Sequence, residues 1–174
     1  MKEVFSKNEQ KGGKNVNEKM IYLDMDGVLA NFPKDGAGTY RNVGFFERLE
    51  VIEEGCTIYT TLKRLGYPVT VLTKCPDLSH SKSEKTVWLE RKLQLHTGGV
   101  KVIFVSEEKK KSDAIGRKAQ LQSTDILIDD YNKNLVEWQR AGGTALKFLN
   151  GQNDPKTWSG ISVKNIHELL EVLR

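Results

Sequence analysis

From residue 20 onward, short apolar runs alternate with longer segments whose apolar residues recur at helical spacing. The first run, 21–23, ends directly at Asp24, whereas Ile58, Leu62 and Leu65 in the next segment recur at steps of four and three. Short runs rich in β-branched residues predict strands, and the amphipathic spacing predicts helices. The pattern therefore predicts an α/β protein in which strands and helices alternate.

The same criteria place the later elements and suggest how they are arranged. Alternating strands and helices favour a Rossmann-like, three-layer fold with a parallel sheet and helices on both faces. Ligands bind such sheets at the carboxyl ends of the strands. The predicted strands after the first are 69–72, 100–105, 126–128 and 144–149, and the predicted helices are 53–65, 81–95, 111–119, 134–141 and 163–173.

The 174 residues suffice for one hydrophobic core, so we expect a single domain over residues 20–174. Residues 1–19 are mostly polar and predict a flexible tail. No apolar run reaches the roughly 18–20 residues of a membrane span, and no secretory signal is visible. With only two cysteines, a cytoplasmic protein without membrane partners is expected. The net charge of +4 suits an anionic ligand such as a phosphate ester.

Two carboxylates follow the first predicted strand, in the order Asp24-Met25-Asp26-Gly27. Like charges buried within a sheet would be costly. At the end of a strand, however, they offer the hard oxygen ligands that Mg²⁺ prefers. A solvated turn explains this segment equally well when it is considered alone.

Three later strand ends carry further polar groups. Thr73 and the next amide, that of Lys74, could bind a phosphate oxygen. Lys111, predicted to open a helix, could offset charge on a transferring phosphoryl group. Asp129 and Asp130 form an acidic pair after the strand at 126–128. Taken singly, these residues also fit a strand terminator, a solvated basic face and a helix N-terminus.

Together and in this order, the four groups resemble the motifs of the haloacid dehalogenase (HAD) superfamily. Those motifs are Asp-x-Asp, Ser/Thr, Lys and a terminal acidic pair, and the match spans residues 20–150. Segments 24–32, 44–50 and 125–130 further resemble the 5'(3')-deoxyribonucleotidase family, which dephosphorylates nucleoside monophosphates with Mg²⁺. The resemblance implies a hydrolase of deoxyribonucleotide catabolism whose cofactor is Mg²⁺.

The resemblance also implies a role for each residue. Asp24 would attack phosphorus and form an aspartyl-phosphate, and Asp26 would act as general acid and then general base. Mg²⁺ would be held by the carboxylates of Asp24 and Asp129 and the backbone carbonyl of Asp26, with Asp130 orienting water or a ligand. The implied phosphate-binding residues are Thr73, Lys74 and Lys111. Which of the three lysines at 109–111 contacts the phosphoryl group stays open.

Aromatic residues and a short loop bear on the substrate. By the resemblance, Phe32 and Phe45 line a nucleobase pocket, although Phe32 fits core packing equally well and Phe46 fits it better. The family has a helical cap where this chain has only residues 33–43, which predict a loop. The more open site leaves room for a larger substrate, such as a phosphorylated nucleic-acid end or a protein. Alternative substrates are sugar phosphates and polynucleotide 3'-phosphate ends. A non-catalytic binding protein of the same fold is a further alternative, and the oligomeric state is left open.

Overall fold

The computed structural model describes residues 19–33, 39–93, 99–116 and 120–174. The predicted tail, apart from Lys19, lies outside the described residues. So do residues 34–38 of the predicted cap loop and the last residues of the helices predicted at 81–95 and 111–119. Within the described residues, no helix is long and apolar enough to cross a membrane.

Among the described residues, six parallel strands form one sheet in the order β3-β2-β1-β4-β5-β6. The predicted α/β class with a parallel sheet is confirmed. The strands are β1 (Met20–Leu23), β2 (Val69–Cys75), β3 (Val102–Ser106), β4 (Asp125–Asp129), β5 (Thr144–Phe148) and β6 (Ser162–Val163), and the helices are α1 (Glu53–Arg64), α2 (Ser81–Leu93), α3 (Asn132–Arg140) and α4 (Ile166–Leu173).

Helices cover both faces of the sheet because side chains alternate along each strand. Ile21 and Leu23 of β1 pack into one core with residues of α1, α2 and α4. Tyr22, between them in sequence, packs on the opposite face with Trp138 of α3, their ring centroids 5.2 Å apart. The three-layer arrangement expected from the sequence is therefore present.

The strand register brings distant acids together. Leu23, the last residue of β1, pairs with Val71 of β2 and Ile128 of β4. The amide of Asp24 continues this ladder and donates to the carbonyl of Ile128 at 3.0 Å. The residues that follow β1 and β4 therefore lie side by side at the carboxyl edge of the sheet.

One predicted helix is wrong within the described residues. A helix opening at Lys111 is replaced by a short 3-10 turn at Ser112–Ile115. Its hydrogen bonds span three residues, from the Ala114 amide to the Lys111 carbonyl at 3.2 Å, for example. Gly116 then adopts a positive φ of 68°, which ends the turn.

The start of the last predicted helix is also wrong by three residues. α4 begins at Ile166 because the side chain of Asn165 accepts a hydrogen bond from the Glu168 amide at 3.0 Å and caps the helix. Val163 instead pairs with Phe148 as part of β6.

Candidate active site

Three carboxylates converge where β1 and β4 end. Asp24 follows β1, Asp129 closes β4 and Asp130 comes next. One oxygen from each of the three lies within 4.8 Å of the others. Asp24 and Asp129 are buried, and Asp130 is partly exposed. We call these three residues the carboxylate cluster.

Lys111 neutralises part of this charge. Its ammonium nitrogen lies 2.8 Å from Asp24 Oδ1 and 2.7 Å from Asp129 Oδ2, and its side chain is buried. Burial lowers the pKa of Lys111, but the charges of Asp129 and Asp24 outweigh that effect and raise it overall. The lysine is therefore charged, and it is the buried member of the basic run, since Lys109 and Lys110 are exposed.

Neighbouring groups fix the orientation of the acidic pair. Asp129 accepts hydrogen bonds from the Tyr131 amide at 2.9 Å and the Asn134 side chain at 3.0 Å. The Asn150 amide group donates to Asp130 Oδ2 at 3.1 Å and to the Gly27 carbonyl at 2.9 Å. These contacts hold both carboxylates in place before any ligand arrives.

Gly27 is required by the same packing. Its φ is +79°, a conformation that L residues rarely adopt. A Cβ at this position would lie 2.3 Å from Asp130 Oδ2. Gly27 therefore both permits the turn after β1 and makes room for the second acid of the pair.

The three carboxylates are too crowded to ionise independently. Burial raises the pKa of Asp24 to about 7, with Lys111 opposing the shift and Asp129 and Asp26 adding to it. Burial likewise raises the pKa of Asp130 to about 8, helped by the charges of Asp129 and Asp24. A hard divalent cation would relieve this repulsion, and an all-carboxylate donor set fits Mg²⁺.

A second lysine organises the other side of the site. The ammonium of Lys85, on α2, donates to Thr73 Oγ1 at 3.1 Å and forms an ion pair with Asp26 Oδ2. It also lies 4.6 Å from the centre of the Phe46 ring. Lys85 is fully buried. We call Asp26, Thr73 and Lys85 the Lys85 group.

The two aspartates of the Asp-x-Asp segment thus have different surroundings. Asp24 joins the carboxylate cluster, whereas the Asp26 side chain faces Lys85. Asp26 Oδ1 is buried and has no hydrogen-bond partner among the described residues. One oxygen of Asp26 is therefore anchored by Lys85, whereas the other is buried without a hydrogen-bond partner in the described part of the chain.

Lys74 lies apart from the acids. Its ammonium donates to the backbone carbonyls of Ser106 at 3.3 Å and Glu107 at 3.2 Å, and to that of Lys109. Burial and the nearby charge of Lys111 lower its pKa. The side chain thus supports the loop after β3 in this structure, and the predicted phosphate contact of the Lys74 backbone amide stays a prediction.

The aromatic residues form a contiguous group. The rings of Phe32 and Phe45 meet edge to face with centroids 5.5 Å apart, and Phe45 meets Phe46 in the same way at 5.1 Å. Phe46 is buried in the core, as expected, while Phe32 and Phe45 are partly exposed. This geometry is compatible with both a core role and a base-binding role for Phe32.

Sequence reasoning missed two residues of the site. Asn150 lies two residues beyond β5, so inspection of every strand end could have found it. Lys85 lies on a helix, so inspection of the strand ends could not have found it. Its only sequence signal is its place one turn before Trp88 in an amphipathic segment, where a lysine on the inner face is unusual.

Comparison with solved structures identifies the fold. A D,D-heptose 1,7-bisphosphate phosphatase from B. bronchiseptica, crystallised with magnesium and phosphate, has a TM-score of 0.63 at 14% identity, over 89% of this chain and 97% of that chain. The corresponding enzyme from Burkholderia thailandensis has a TM-score of 0.61 at 14% identity, over 89% and 98%. The chain has the fold of HAD-type phosphatases.

A third structure agrees with this assignment. A Mesorhizobium loti protein assigned as a HAD-like phosphatase has a TM-score of 0.56 at 15% identity, over 95% of this chain and 90% of that chain. No family model and no curated protein matches the sequence. At these identities the similarity is one of fold, and the chemistry of the site depends on this chain's own residues.

Proposed function

We propose that this protein is a Mg²⁺-dependent phosphomonoesterase that acts through an aspartyl-phosphate on Asp24. The observation that carries the proposal is the convergence of Asp24, Asp129 and Asp130 around Lys111 at the end of the central strands. A binding protein of this fold has no evident need for a buried lysine between two carboxylates beside a second, separately anchored acid.

Asp24 is held for attack by two contacts. The Met25 amide and the Lys111 ammonium both lie 2.8 Å from Asp24 Oδ1, so the other oxygen is the one to attack phosphorus. Mg²⁺, held by Asp24, Asp129 and Asp130, would offset the negative charge of carboxylates and phosphate that otherwise opposes the reaction. Lys111 supplies fixed positive charge at the same place.

Asp26 is placed to transfer protons. Lys85 anchors its Oδ2, and its Oδ1 has no hydrogen-bond partner among the described residues. The carboxyl group would protonate the leaving oxygen and later accept a proton from the water that hydrolyses the aspartyl-phosphate. Thr73 and the two buried lysines, Lys85 and Lys111, are the donors that would contact the phosphoryl oxygens. The backbone amide of Lys74, next to Thr73, stays a predicted further donor.

For the substrate we favour nucleoside monophosphates, with deoxyribonucleotides first. The partly exposed rings of Phe32 and Phe45 could stack on a base, and the segments resembling 5'(3')-deoxyribonucleotidases include both residues. Sugar phosphates are the second candidate, because two proteins of similar fold are heptose bisphosphate phosphatases. Polynucleotide ends and a cytoplasmic location stay predictions.

Hydrolysis of an aryl phosphate with Mg²⁺, and again with excess EDTA, tests the proposal. We expect turnover with Mg²⁺, its loss in EDTA and its return when Mg²⁺ is restored. Full activity in EDTA would contradict the assigned chemistry. A panel of ribo- and deoxyribonucleoside monophosphates, sugar phosphates and 3'-phosphorylated oligonucleotides would then rank the substrates by kcat/KM.

A further inference from the structure

We call residues 44–49 the aromatic segment. Helix α2 binds the backbone of this segment through two side chains one turn apart. The Glu84 carboxylate accepts hydrogen bonds from the Gly44 amide at 2.5 Å and the Phe46 amide at 3.1 Å. The Trp88 indole donates to the Leu49 carbonyl at 2.7 Å. Segment 44–49, which carries Phe45, is therefore attached to α2 at both ends.

Glu84 is an unusual residue for this task. It is 3% exposed, and glutamates are seldom buried without a charged partner. Here the carboxylate is compensated by two backbone amides and by its place in the first turn of α2, where the helix dipole favours negative charge. Such hydrogen bonds are directional, so they fix the position of the segment as well as binding it.

The next residue of α2 is Lys85, which belongs to the Lys85 group and is a proposed phosphate donor. Lys85 contacts Thr73 and Asp26, and its ammonium faces the Phe46 ring at 4.6 Å. Two adjacent residues of α2 therefore have different partners: Glu84 binds the aromatic segment, and Lys85 belongs to the Lys85 group. Because the helix is rigid, it fixes the position of the aromatic segment relative to the Lys85 group.

We propose that Glu84 is a positioning residue that fixes Phe45 at a set distance from the Lys85 group and thereby sets the preference for substrates that carry a base. The inference rests on the proposed function, since it assigns a role within the same site. Glu84 itself touches no substrate. Its effect should appear in the discrimination between substrates that differ only at the end remote from the phosphate.

The variant Glu84→Gln tests the attachment without an enzyme assay. Glutamine keeps the volume but offers one acceptor oxygen, and its NH₂ group faces the second amide. Glu90→Gln is the matched control, because Glu90 is an exposed glutamate on the same helix. We expect hydrogen exchange of the Gly44 and Phe46 amides to accelerate about tenfold or more in Glu84→Gln, the factor expected for a buried, charge-assisted hydrogen bond. Exchange in β1 should be unchanged.

Kinetics then separate positioning from simple stabilisation. The two substrates are a deoxynucleoside 5'-monophosphate and 2-deoxyribose 5-phosphate, which lacks the base. We expect Glu84→Gln to reduce the ratio of their kcat/KM values about tenfold, mainly through KM of the nucleotide, with Glu90→Gln at the wild-type ratio. If Glu84→Gln folds poorly, Trp88→Phe removes the other attachment and should shift exchange and ratio in the same direction.

Two results would overturn the inference: wild-type exchange at Gly44 and Phe46 in Glu84→Gln, or faster exchange with an unchanged substrate ratio. The second result would assign Glu84 a structural role only. Failure of the proposed function looks different, because wild-type protein would then hydrolyse neither substrate and no aryl phosphate in the presence of Mg²⁺.

Discussion

The site contains two buried lysines whose surroundings differ, and the difference separates two tasks. Lys111 lies between two carboxylates of the carboxylate cluster, 2.8 Å from Asp24 and 2.7 Å from Asp129. Lys85 pairs with the single carboxylate of Asp26, a hydroxyl and an aromatic ring. Lys111 therefore balances charge around the proposed nucleophile, whereas Lys85 orients the proposed acid–base residue.

The largest expected effect comes from Asp24, the proposed nucleophile, which Lys111 contacts. Asp24→Asn should reduce turnover of any phosphate ester by about a thousandfold or more, because an amide oxygen cannot form the aspartyl-phosphate. The fold should persist, since the variant removes one charge from a crowded cluster. Steady-state kinetics and circular dichroism check both statements. Asp113→Asn, at an exposed carboxylate, is the control. Wild-type turnover in Asp24→Asn would mean that another group attacks.

Removing Lys111 should affect both stability and activity. Lys111→Met leaves the buried carboxylates without their cation, and breaking such a buried pair costs about 3–5 kcal/mol. We expect that loss in urea unfolding of the metal-free protein, together with a fall in kcat of about a hundredfold. Lys110→Met alters an exposed lysine of the same run and should resemble wild type. A Lys111→Met protein of wild-type stability would show that the carboxylates are protonated instead.

Lys85 should matter less for stability and more selectively for the reaction. Lys85→Met leaves one partly exposed carboxylate unpaired, so we expect roughly 1–2 kcal/mol of destabilisation. Turnover should fall about 10- to 100-fold, because Asp26 loses its anchor and the phosphate loses a donor. Lys92→Met, exposed on the same helix, is the control. Equal losses of stability in Lys85→Met and Lys111→Met would erase the distinction between the two lysines.

The carboxylate cluster also predicts how stability depends on pH. Folding raises the pKa of Asp24 from 3.8 to about 7 and that of Asp130 from 3.8 to about 8. The folded protein thus keeps protons that the unfolded chain has lost. In EDTA the free energy of unfolding should therefore decrease between about pH 4 and pH 8, by at least on the order of 1 kcal/mol.

Urea unfolding at pH 5 and pH 8 measures this decrease, and Asp130→Asn should reduce it. Mg²⁺ should stabilise the protein more at pH 8 than at pH 5, because deprotonated carboxylates bind the cation. A free energy of unfolding that increases over this interval in EDTA would contradict the crowding inferred for the cluster.

The strand ends were the part of this site that the sequence could predict. Apolar runs that stop at Asp24, Thr73 and Asp129 indicate where a parallel sheet presents polar groups, and the register of β1 with β4 brings the two acids together. The sequence can predict where strands and helices lie because their periods of two and 3.6 residues follow from backbone geometry alone.

Lys85 and the turn after Lys111 depended on tertiary packing instead. Whether a lysine on α2 reaches the acids is decided by the angle of the helix on the sheet, which periodicity does not encode. The helix predicted from Lys111 gave way to a 3-10 turn closed by Gly116, a choice between i+3 and i+4 hydrogen bonds that differ little in energy.

The central claim is that Asp24 bonds covalently to phosphorus, and chemical trapping tests it most directly. The protein is mixed with a phosphate ester and Mg²⁺, quenched rapidly and treated with borohydride, which reduces an acyl-phosphate to an alcohol, and the peptides are analysed by mass spectrometry. We predict reduction at residue 24, and no reduction in EDTA or in Asp24→Asn. Efficient turnover with reduction at another residue, or with no trapped residue at all, would contradict the mechanism.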